Sequence, residues 1–336
     1  MTLIPTTNSA KAVKFECPLS PEQLDFRRKA QLSILVADPL CLYNVPMKST
    51  AQPWTTRRLL NWTTEHFEKR HMDNARLCAE MLLSHVLGVQ RIKLYMDLDR
   101  PASELERAAF RELVERASKD EPVDYLVGHA PFYGLTFKVT PATLIPRPST
   151  ETIIDHVIRH CRNTPGFGEP VIADIGTGSG AIAVKLAKNL PKAHIVATDI
   201  SADALVIAKE NATKIGVADR IEFHLGNLLE PVLKHRFDYV ISNPPYIPDH
   251  EWQAVEPNVK DYEPHSALRG GSDGLEFVRP LIVEAKKVLK SPGQLLIEIA
   301  SCTKLDVMDL ATQHEYKNVQ VLADHEKLPR ILVADG

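Results

Sequence analysis

The sequence predicts an α/β fold in which a small N-terminal helical domain precedes a mostly parallel, doubly wound sheet with an antiparallel C-terminal edge. Beyond residue 149, short apolar strands alternate with amphipathic helices, a pattern typical of a parallel sheet covered by helices on both faces. A glycine-rich turn joins the first of these strands to the next helix. Only a short loop separates the last two strands, so we expect them to pair antiparallel at one edge.

Length and composition indicate a globular protein of about two domains. The chain has 336 residues, of which 44% are hydrophobic, 25% charged and 6% aromatic; the prior is ~150 residues per domain. This apolar content suffices for packed cores and excludes disorder as the dominant state. The 40 basic and 43 acidic residues give a net charge of −3. The chain as a whole therefore offers no basic field for nucleic acid.

Cysteine usage and the apolar runs indicate a cytoplasmic protein. No apolar run approaches the ~20 residues that a membrane helix needs, and the first residues match neither a signal peptide nor a convincing transit peptide. The sequence contains no H-E-x-x-H motif, and we expect no metal site. The five cysteines are scattered and never spaced C-x-x-C, which disfavours a disulfide scaffold or a cysteine zinc site: Cys17, Cys41, Cys78, Cys161 and Cys302.

Residues 1–50 differ from the rest of the chain. Their apolar pieces are short, and prolines repeatedly interrupt them, at Pro5, Pro18, Pro21, Pro39 and Pro46. We therefore expect a poorly ordered extension.

Residues 51–122 show the apolar spacing of a small helical bundle. Asp73 is predicted to cap the second helix, which Gly88 ends. Ser103 and Glu106 have the spacing of a capping box that opens the third. The sequence alone leaves open whether this bundle only packs or also recognises a partner.

The pattern changes twice more along the chain. Residues 123–148 predict a linker or hairpin that ends in prolines. Residues 149–336 predict the sheet domain, with strands at 171–175, 194–200, 221–225, 237–242, 294–299, 319–323 and 331–334.

The first chemical motif is a glycine-rich turn between a predicted strand and a helix. Glycines at alternate positions allow a tight turn and let a ligand approach the backbone amides. Asp199 ends the next strand, where a carboxylate can accept hydrogen bonds from both ribose hydroxyls. The turn indicates a nucleotide-like cofactor, and its spacing also satisfies G-x-G-x-x-[G/A], so a nicotinamide enzyme remains open at this point. The turn consists of Gly176, Thr177, Gly178, Ser179 and Gly180, followed by Ala181.

The second motif is Asn243, Pro244, Pro245 and Tyr246, at the carboxyl end of the fourth predicted strand. Such strand ends border the crevice in which doubly wound sheets bind ligands. The Asn243 amide oxygen and the Pro244 carbonyl can together accept both hydrogens of a planar NH2 group, and Tyr246 can stack on its flat face. The prolines stiffen the turn and remove two competing donors. An ordinary Asn-Pro-Pro turn would look similar, but its place after a glycine-rich loop favours a substrate site.

Together these motifs resemble the class I, Rossmann-like S-adenosylmethionine-dependent methyltransferases that modify planar nitrogen. From Trp54 to the C-terminus the chain is similar to the HemK/PrmC-type glutamine methyltransferases of peptide chain release factors. The resemblance implies that residues 176–180 surround the methionine part of S-adenosyl-L-methionine and that Asp199 holds its ribose. It also implies that residues 243–246 bind the target glutamine, with Asn243 beside the cofactor as well. The segments that carry the resemblance are 132–137, 144–151, 262–268, Gly270 and Gly271.

The sequence departs from the family pattern at three positions. Ser149 stands where the family usually has an acid, which leaves only Glu151 of an acidic pair. Asn227 and Leu228 lie where the resemblance places the adenine, and Asn227 replaces the common Asp. Its amide oxygen can still accept from the adenine amino group. Ala300 stands where glycine is usual.

Several functions are compatible with these residues. The resemblance favours methylation of the glutamine in the Gly-Gly-Gln motif of release factors, by a monomer that binds neither nucleic acid nor membrane. The same chemistry on a ribosomal-protein glutamine is an alternative. A nucleobase amino group presents the same planar NH2, although the balanced charge disfavours a nucleic-acid enzyme. A non-enzymatic, cofactor-binding assembly factor fits the intact second motif least well.

Overall fold

The computed structural model describes residues 53–336, so the predicted extension at residues 1–50 lies outside the described part of the chain. Within the described part, no helix is both long enough and apolar enough to cross a bilayer.

Helices make up the first part of the described chain. Their apolar sides meet in one core that includes Leu60, Phe67, Leu82, Leu83 and Phe110. The helices are α1 (Thr56–Glu68), α2 (Ala75–Leu87), α3 (Arg91–Leu94), α4 (Glu104–Ala117) and α5 (Val123–Val127).

The capping box at the start of α4 is confirmed, whereas the predicted cap of α2 is wrong. Ser103 Oγ accepts from the Glu106 N–H (3.2 Å), and the Glu106 carboxylate accepts from the Ser103 N–H (2.8 Å). The residue before α2 is Asn74 rather than Asp73, and its side chain makes no cap bond. Its left-handed backbone (φ 51°) differs from the extended conformation that a side-chain cap requires. Gly88 follows the end of α2, as predicted.

An antiparallel hairpin of β1 (His129–Phe132) and β2 (Leu135–Lys138) follows α5. Its two-residue turn, Tyr133 and Gly134, has positive φ at both positions (46° and 73°), which matches the twist of a tight hairpin. Asn211 fastens the hairpin to the rest of the fold: its side chain accepts from Lys138 N–H (2.7 Å) and donates to the carbonyls of Lys138 (3.0 Å) and Ser179 (2.8 Å).

A seven-stranded sheet in the order β5-β4-β3-β6-β7-β9-β8 forms the centre of the second part. Strands β3 to β7 are parallel, while β9 runs antiparallel to both β7 and β8. This confirms the predicted mostly parallel sheet with an antiparallel C-terminal edge. The strands are β3 (Val171–Ile175), β4 (His194–Asp199), β5 (Ile221–Leu225), β6 (Phe237–Ser242), β7 (Leu289–Glu298), β8 (Lys317–Ala323) and β9 (Pro329–Asp335).

Helices cover both faces of this sheet. Successive strand residues alternate between two separate cores; Ile241 belongs to one and its neighbour Val240 to the other. Buried strands of this kind appear in the sequence as continuous apolar runs. The helices are α6 (Glu151–Asn163), α7 (Ala181–Asn189), α8 (Ala202–Ile215), α9 (Pro257–Lys260), α10 (Val278–Val288) and α11 (Lys304–Gln313).

The strand order reverses between β3 and β6, and this reversal positions the site. From β3 the chain moves outward to β4 and β5, and β6 then returns to the other side of β3. Ile175 and Ser242, the last residues of β3 and β6, are paired in register, and Ser242 Oγ donates to the Ile175 carbonyl (2.8 Å). The glycine-rich turn and the Asn-Pro-Pro-Tyr motif therefore begin side by side, where such sheets bind ligands.

Candidate active site

One cavity lies at the carboxyl ends of the central strands, and most of the residues singled out from the sequence line it. Gly180, Pro244 and Tyr246 lie outside its lining. The predicted residues that line it are Gly176, Thr177, Gly178, Ser179, Asp199, Asn227, Leu228, Asn243 and Pro245.

The glycine-rich turn forms an open cradle on this cavity. Gly176 and Gly178 have φ of 72° and 57°, values that residues with a side chain rarely adopt. A Cβ at either position would meet no atom within 4 Å, so it would project into open space. The N–H groups of Gly176 and Thr177 both donate to the Thr198 carbonyl (2.9 Å each), which fixes the turn against β4. The turn thus leaves room for a ligand directly against its backbone.

Asp199 connects the end of β4 to this turn. One carboxylate oxygen accepts from the Gly178 N–H (2.8 Å) and the other from the Ser201 N–H (2.9 Å). Burial raises the pKa of Asp199, although both N–H groups act in the opposite direction. Each oxygen keeps a lone pair beyond these bonds. The carboxylate can therefore shape the turn and still accept from a diol in the cavity.

Asp174 supports the turn from beneath, a role that the sequence analysis missed. Its side chain is fully buried, and Oδ2 accepts from Thr177 Oγ1 (2.6 Å) and the Ala183 N–H (3.1 Å). Oδ1 has no hydrogen-bond partner. Burial raises the pKa of Asp174 to about 6, with the nearby Asp199 charge as a smaller cause. An acid inside an otherwise apolar strand was the sequence signal for this group.

Asp174→Asn is expected to stabilise the protein more at pH 8 than at pH 5. The folded-state pKa of about 6 is raised, so the folded protein binds this proton more tightly than the unfolded chain does. The resulting stability is complete below the unfolded pKa and is lost as the pH rises through the folded pKa. Asparagine cannot ionise, so the stability difference between variant and wild type should change by about 1 kcal/mol between these two pH values.

The measurement is thermal unfolding of both proteins at the two pH values. Asp203→Asn, at an exposed carboxylate in the first turn of α8, is the matched control. A stability difference that is the same at both pH values, or that favours the variant more at pH 5 than at pH 8, would contradict the assignment.

Asn243 faces the cavity with its amide oriented by a hydrogen bond. Its Nδ2 donates to Thr150 Oγ1 (3.1 Å), and no described residue donates to its Oδ1. The oxygen is thus the atom available for a ligand. Thr150, which also lines the cavity, precedes α6 and is 4% exposed.

Glu298, at the end of β7, is a second residue that the sequence analysis missed. It is fully buried and accepts from Thr150 Oγ1 (2.7 Å), Ser149 Oγ (2.9 Å) and Tyr246 OH (3.4 Å). Burial raises the pKa of Glu298, while these hydroxyls and the Arg330 charge act in the opposite direction. Ser149 therefore supplies one of the three hydroxyls that surround the Glu298 carboxylate. A single acid at the end of an apolar strand was again the available signal.

A close backbone approach fixes the end of the Asn-Pro-Pro-Tyr segment. An added Cβ on Gly270 would lie 2.7 Å from Tyr246 Cα and 2.9 Å from the Pro245 carbonyl oxygen, so only glycine fits there. The backbones of Ile247 and Gly270 are joined by a Gly270 N–H bond to the Ile247 carbonyl (2.9 Å). The close approach and the backbone bond therefore hold the end of the segment beside Asn243 and Pro245, which line the cavity.

An ion pair with one buried partner borders another side of the cavity. Arg147, which lines it, pairs with the buried carboxylate of Glu263, and Glu263 also accepts from the Ile145 N–H (3.1 Å). These contacts fix the segment that precedes α6. In residues 53–336, no group of three or more His, Cys, Asp or Glu side chains is arranged to hold a metal ion.

Comparison with known proteins finds matches to both parts of the described chain. The PrmC N-terminal domain model matches residues 58–128, and the methyltransferase small domain model matches residues 157–261.

Three similar relatives bear the name release factor glutamine methyltransferase. The protein from Geobacter sulfurreducens is 42% identical over 253 residues, which cover 75% of this chain and 87% of the relative. That from Rhodopirellula baltica is 40% identical over 291 residues, or 83% of this chain and 97% of the relative. That from Chlorobaculum tepidum is 39% identical over 283 residues, which cover 82% of this chain and 96% of the relative. The chain thus matches nearly the full length of two of these relatives.

Proposed function

The chain belongs to the release factor glutamine methyltransferase family, and from this membership we propose that its cavity is where a release factor glutamine is methylated. The methyl group passes from S-adenosyl-L-methionine to the side-chain amide nitrogen of the glutamine in a Gly-Gly-Gln motif. The observation that carries this proposal is the shared cavity: the open glycine-rich turn and the unpaired Asn243 oxygen face the same space.

The residues present fit S-adenosylmethionine. The space over Gly176 and Gly178 suits the methionine part, and the remaining acceptor capacity of Asp199 suits the ribose diol. Asn227 and Leu228 line the cavity beyond Asp199, where Asn227 can accept from the adenine amino group. When bound, the cofactor supplies a methyl group that its sulfonium has already activated.

The Asn-Pro-Pro-Tyr segment would prepare the glutamine. An amide nitrogen is a weak nucleophile because its lone pair is delocalised. The Asn243 oxygen, which faces the cavity, accepts one N–H group, and the Pro244 carbonyl accepts the other; both favour the positive charge that develops on nitrogen. Pro244 and Tyr246 lie outside the cavity lining, so these contacts require the glutamine to extend past it, where Tyr246 positions the amide plane by stacking. Holding the nitrogen in line with the methyl can supply much of the ~7–11 kcal/mol available from orientation.

The helical bundle is the proposed recognition module. We assign substrate binding to residues 51–122 because the PrmC N-terminal domain model matches the described helices, up to residue 128. We further propose that the enzyme works as a monomer and needs no nucleic acid. Labelling of a free release factor by the protein at several enzyme concentrations tests both points: specific activity should be independent of concentration and of added RNA.

The substrate assignment is tested by competition among candidate acceptors. The protein is incubated with methyl-labelled S-adenosylmethionine and either a release factor, total ribosomal proteins or DNA. We expect label on the release factor, at the Gly-Gly-Gln glutamine. Label on a ribosomal protein would support the alternative glutamine substrate, and label on DNA would support nucleobase methylation; either result without release factor methylation contradicts the proposal.

A release factor with asparagine in place of that glutamine should be methylated about 10²-fold more slowly, since misplacement of the nucleophile by about one bond length has a cost of this order. The measurement is initial rate at saturating S-adenosylmethionine, with the unaltered release factor as reference. Equal rates for the two substrates would show that the nitrogen is not held in the way described.

A further inference from the structure

A chain of hydrogen bonds leads from the buried Glu298 carboxylate to the cavity. Thr150 Oγ1 donates to Glu298 Oε2 (2.7 Å) and lies 3.1 Å from Asn243 Nδ2. Ser149 and Tyr246 bring two further hydroxyls to Oε1 of the same carboxylate (2.9 and 3.4 Å). Asn243 and Thr150 line the cavity, whereas Glu298 does not. The carboxylate therefore reaches the cavity only through other side chains.

The direction of these bonds follows from the donors available. A threonine hydroxyl has a single proton, and Thr150 donates it to Glu298 Oε2. Because Thr150 gives that proton to Glu298, its oxygen can only accept from Asn243. The Asn243 amide must then turn its NH2 group toward Thr150 and its oxygen toward the cavity. The opposite orientation would set two N–H donors against the N–H groups of the substrate amide.

We propose that Glu298 is a positioning residue of the reaction, which acts through Thr150 to hold the Asn243 amide with its oxygen toward the substrate. This inference rests on the proposed methyl transfer. Glu298 itself touches neither the substrate nor the methyl group. Burial makes this arrangement effective. Thr150 is only 4% exposed, so little water can reach its hydroxyl and replace Glu298 as the acceptor.

Two substitutions, Thr150→Val and Glu298→Gln, interrupt this series of hydrogen bonds at different points. Thr150→Val keeps the side-chain shape but removes the hydroxyl, whereas Thr150→Ser keeps the hydroxyl. Glu298→Gln keeps the shape and places an amide donor in the cluster, so that Thr150 can accept from it and turn its own proton toward Asn243. We expect kcat to fall about 10²-fold for Thr150→Val and about tenfold for Glu298→Gln, in line with loss of an aimed electrostatic group. Thr150→Ser should stay within about threefold of wild type.

The double variant, which combines Thr150→Val with Glu298→Gln, separates a positioning role of Glu298 from a purely structural one. Once Thr150 has lost its hydroxyl, Glu298 can no longer act on Asn243. Glu298→Gln should then lower kcat by less than about threefold further, a non-additive result typical of residues in one network. Binding of S-adenosylmethionine, measured by calorimetry, should change little in each variant. A Thr303→Val variant, at a buried threonine that bonds the Ala300 carbonyl, and Asp238→Asn, at a largely buried carboxylate near the start of β6 that accepts from the Val171 N–H, control for the general cost of these substitutions.

A readout that does not depend on turnover completes the test. The side-chain NH2 resonances of Asn243, assigned by their loss in Asn243→Asp, should shift in Thr150→Val and Glu298→Gln but not in the two control variants. Wild-type protein that fails to methylate a release factor would remove the proposed function, while the resonances would still report on the bond chain. Unchanged resonances, wild-type kcat in Thr150→Val, additive losses in the double variant, or losses that only follow the folded fraction would each overturn the role of Glu298.

Discussion

Asn243→Ala is expected to lower kcat about 10²–10³-fold, the usual effect of removing one aimed electrostatic group from an active site. The substitution removes the Asn243 acceptor that faces the substrate, since the Thr150 bond turns Nδ2 away and leaves the side-chain oxygen toward the cavity. The cost should appear in the chemical step, because the acceptor acts on charge that develops as the methyl group transfers. S-adenosylmethionine affinity should stay within about threefold, as the cofactor rests mainly on the glycine-rich turn and Asp199.

The measurement combines single-turnover methylation of a release factor with calorimetric titration of the cofactor. Asn163→Ala, at an exposed residue that ends α6, is the matched control and should leave both quantities unchanged. Tyr246→Ala should act mainly on substrate KM, because stacking positions the amide without accepting its hydrogens. Near wild-type turnover in Asn243→Ala would show that another group accepts from the glutamine NH2.

The fold could be predicted from the sequence because its signals are local. Each buried strand is a short apolar run, each helix has its own spacing, and the right-handed crossover rule then limits how they assemble. The approximate edges of the strands were also predictable, although β7 begins at Leu289 rather than residue 294, where it pairs with Phe237 across an irregularity. The cap of α2 was wrong because a left-handed turn at Asn74 depends on the loop before it.

The sequence predicted the two continuous motifs of the candidate site but not the long-range contacts that support them. The turn that carries Gly176 and the segment that begins at Asn243 are continuous stretches, so their spacing could be recognised. The Glu298 contacts join residues 148 and 149 positions apart in the chain, to Thr150 and Ser149, and no local pattern records such pairs. The pairing of Arg147 with Glu263 spans 116 positions and was missed for the same reason.

Asp174 was missed for a different reason. It lies only three positions before Thr177, to which it bonds, but a single acid in an apolar strand does not show which group it will meet. These supporting acids do not line the cavity, and although the sequence shows that they are present, only the folded structure shows which groups they bind. They hold in place the residues that the sequence analysis identified.

Asp199→Ala is expected to weaken S-adenosylmethionine binding by at least about 10²-fold. Charge-assisted hydrogen bonds contribute roughly 1.5–3 kcal/mol each, and the ribose would lose two. The structure adds a second cause: the carboxylate also holds the Gly178 and Ser201 N–H groups, so its removal loosens the turn that encloses the methionine part. Asp199→Asn can retain one of these backbone bonds and should lose less affinity than Asp199→Ala.

Calorimetric titration of the two variants and wild type measures this difference, with Asp203→Ala, four residues along the chain and exposed, as the control. The same titration with NAD should give no binding, because the glycine-rich turn by itself fits either cofactor and only the family assignment excludes the dinucleotide. Unchanged S-adenosylmethionine affinity in Asp199→Ala would remove this carboxylate from the cofactor site. Tight NAD binding by the wild-type protein would contradict the cofactor assignment itself. The cavity that the glycine-rich turn and Asn243 share would then hold a dinucleotide, and not a methyl donor beside a glutamine.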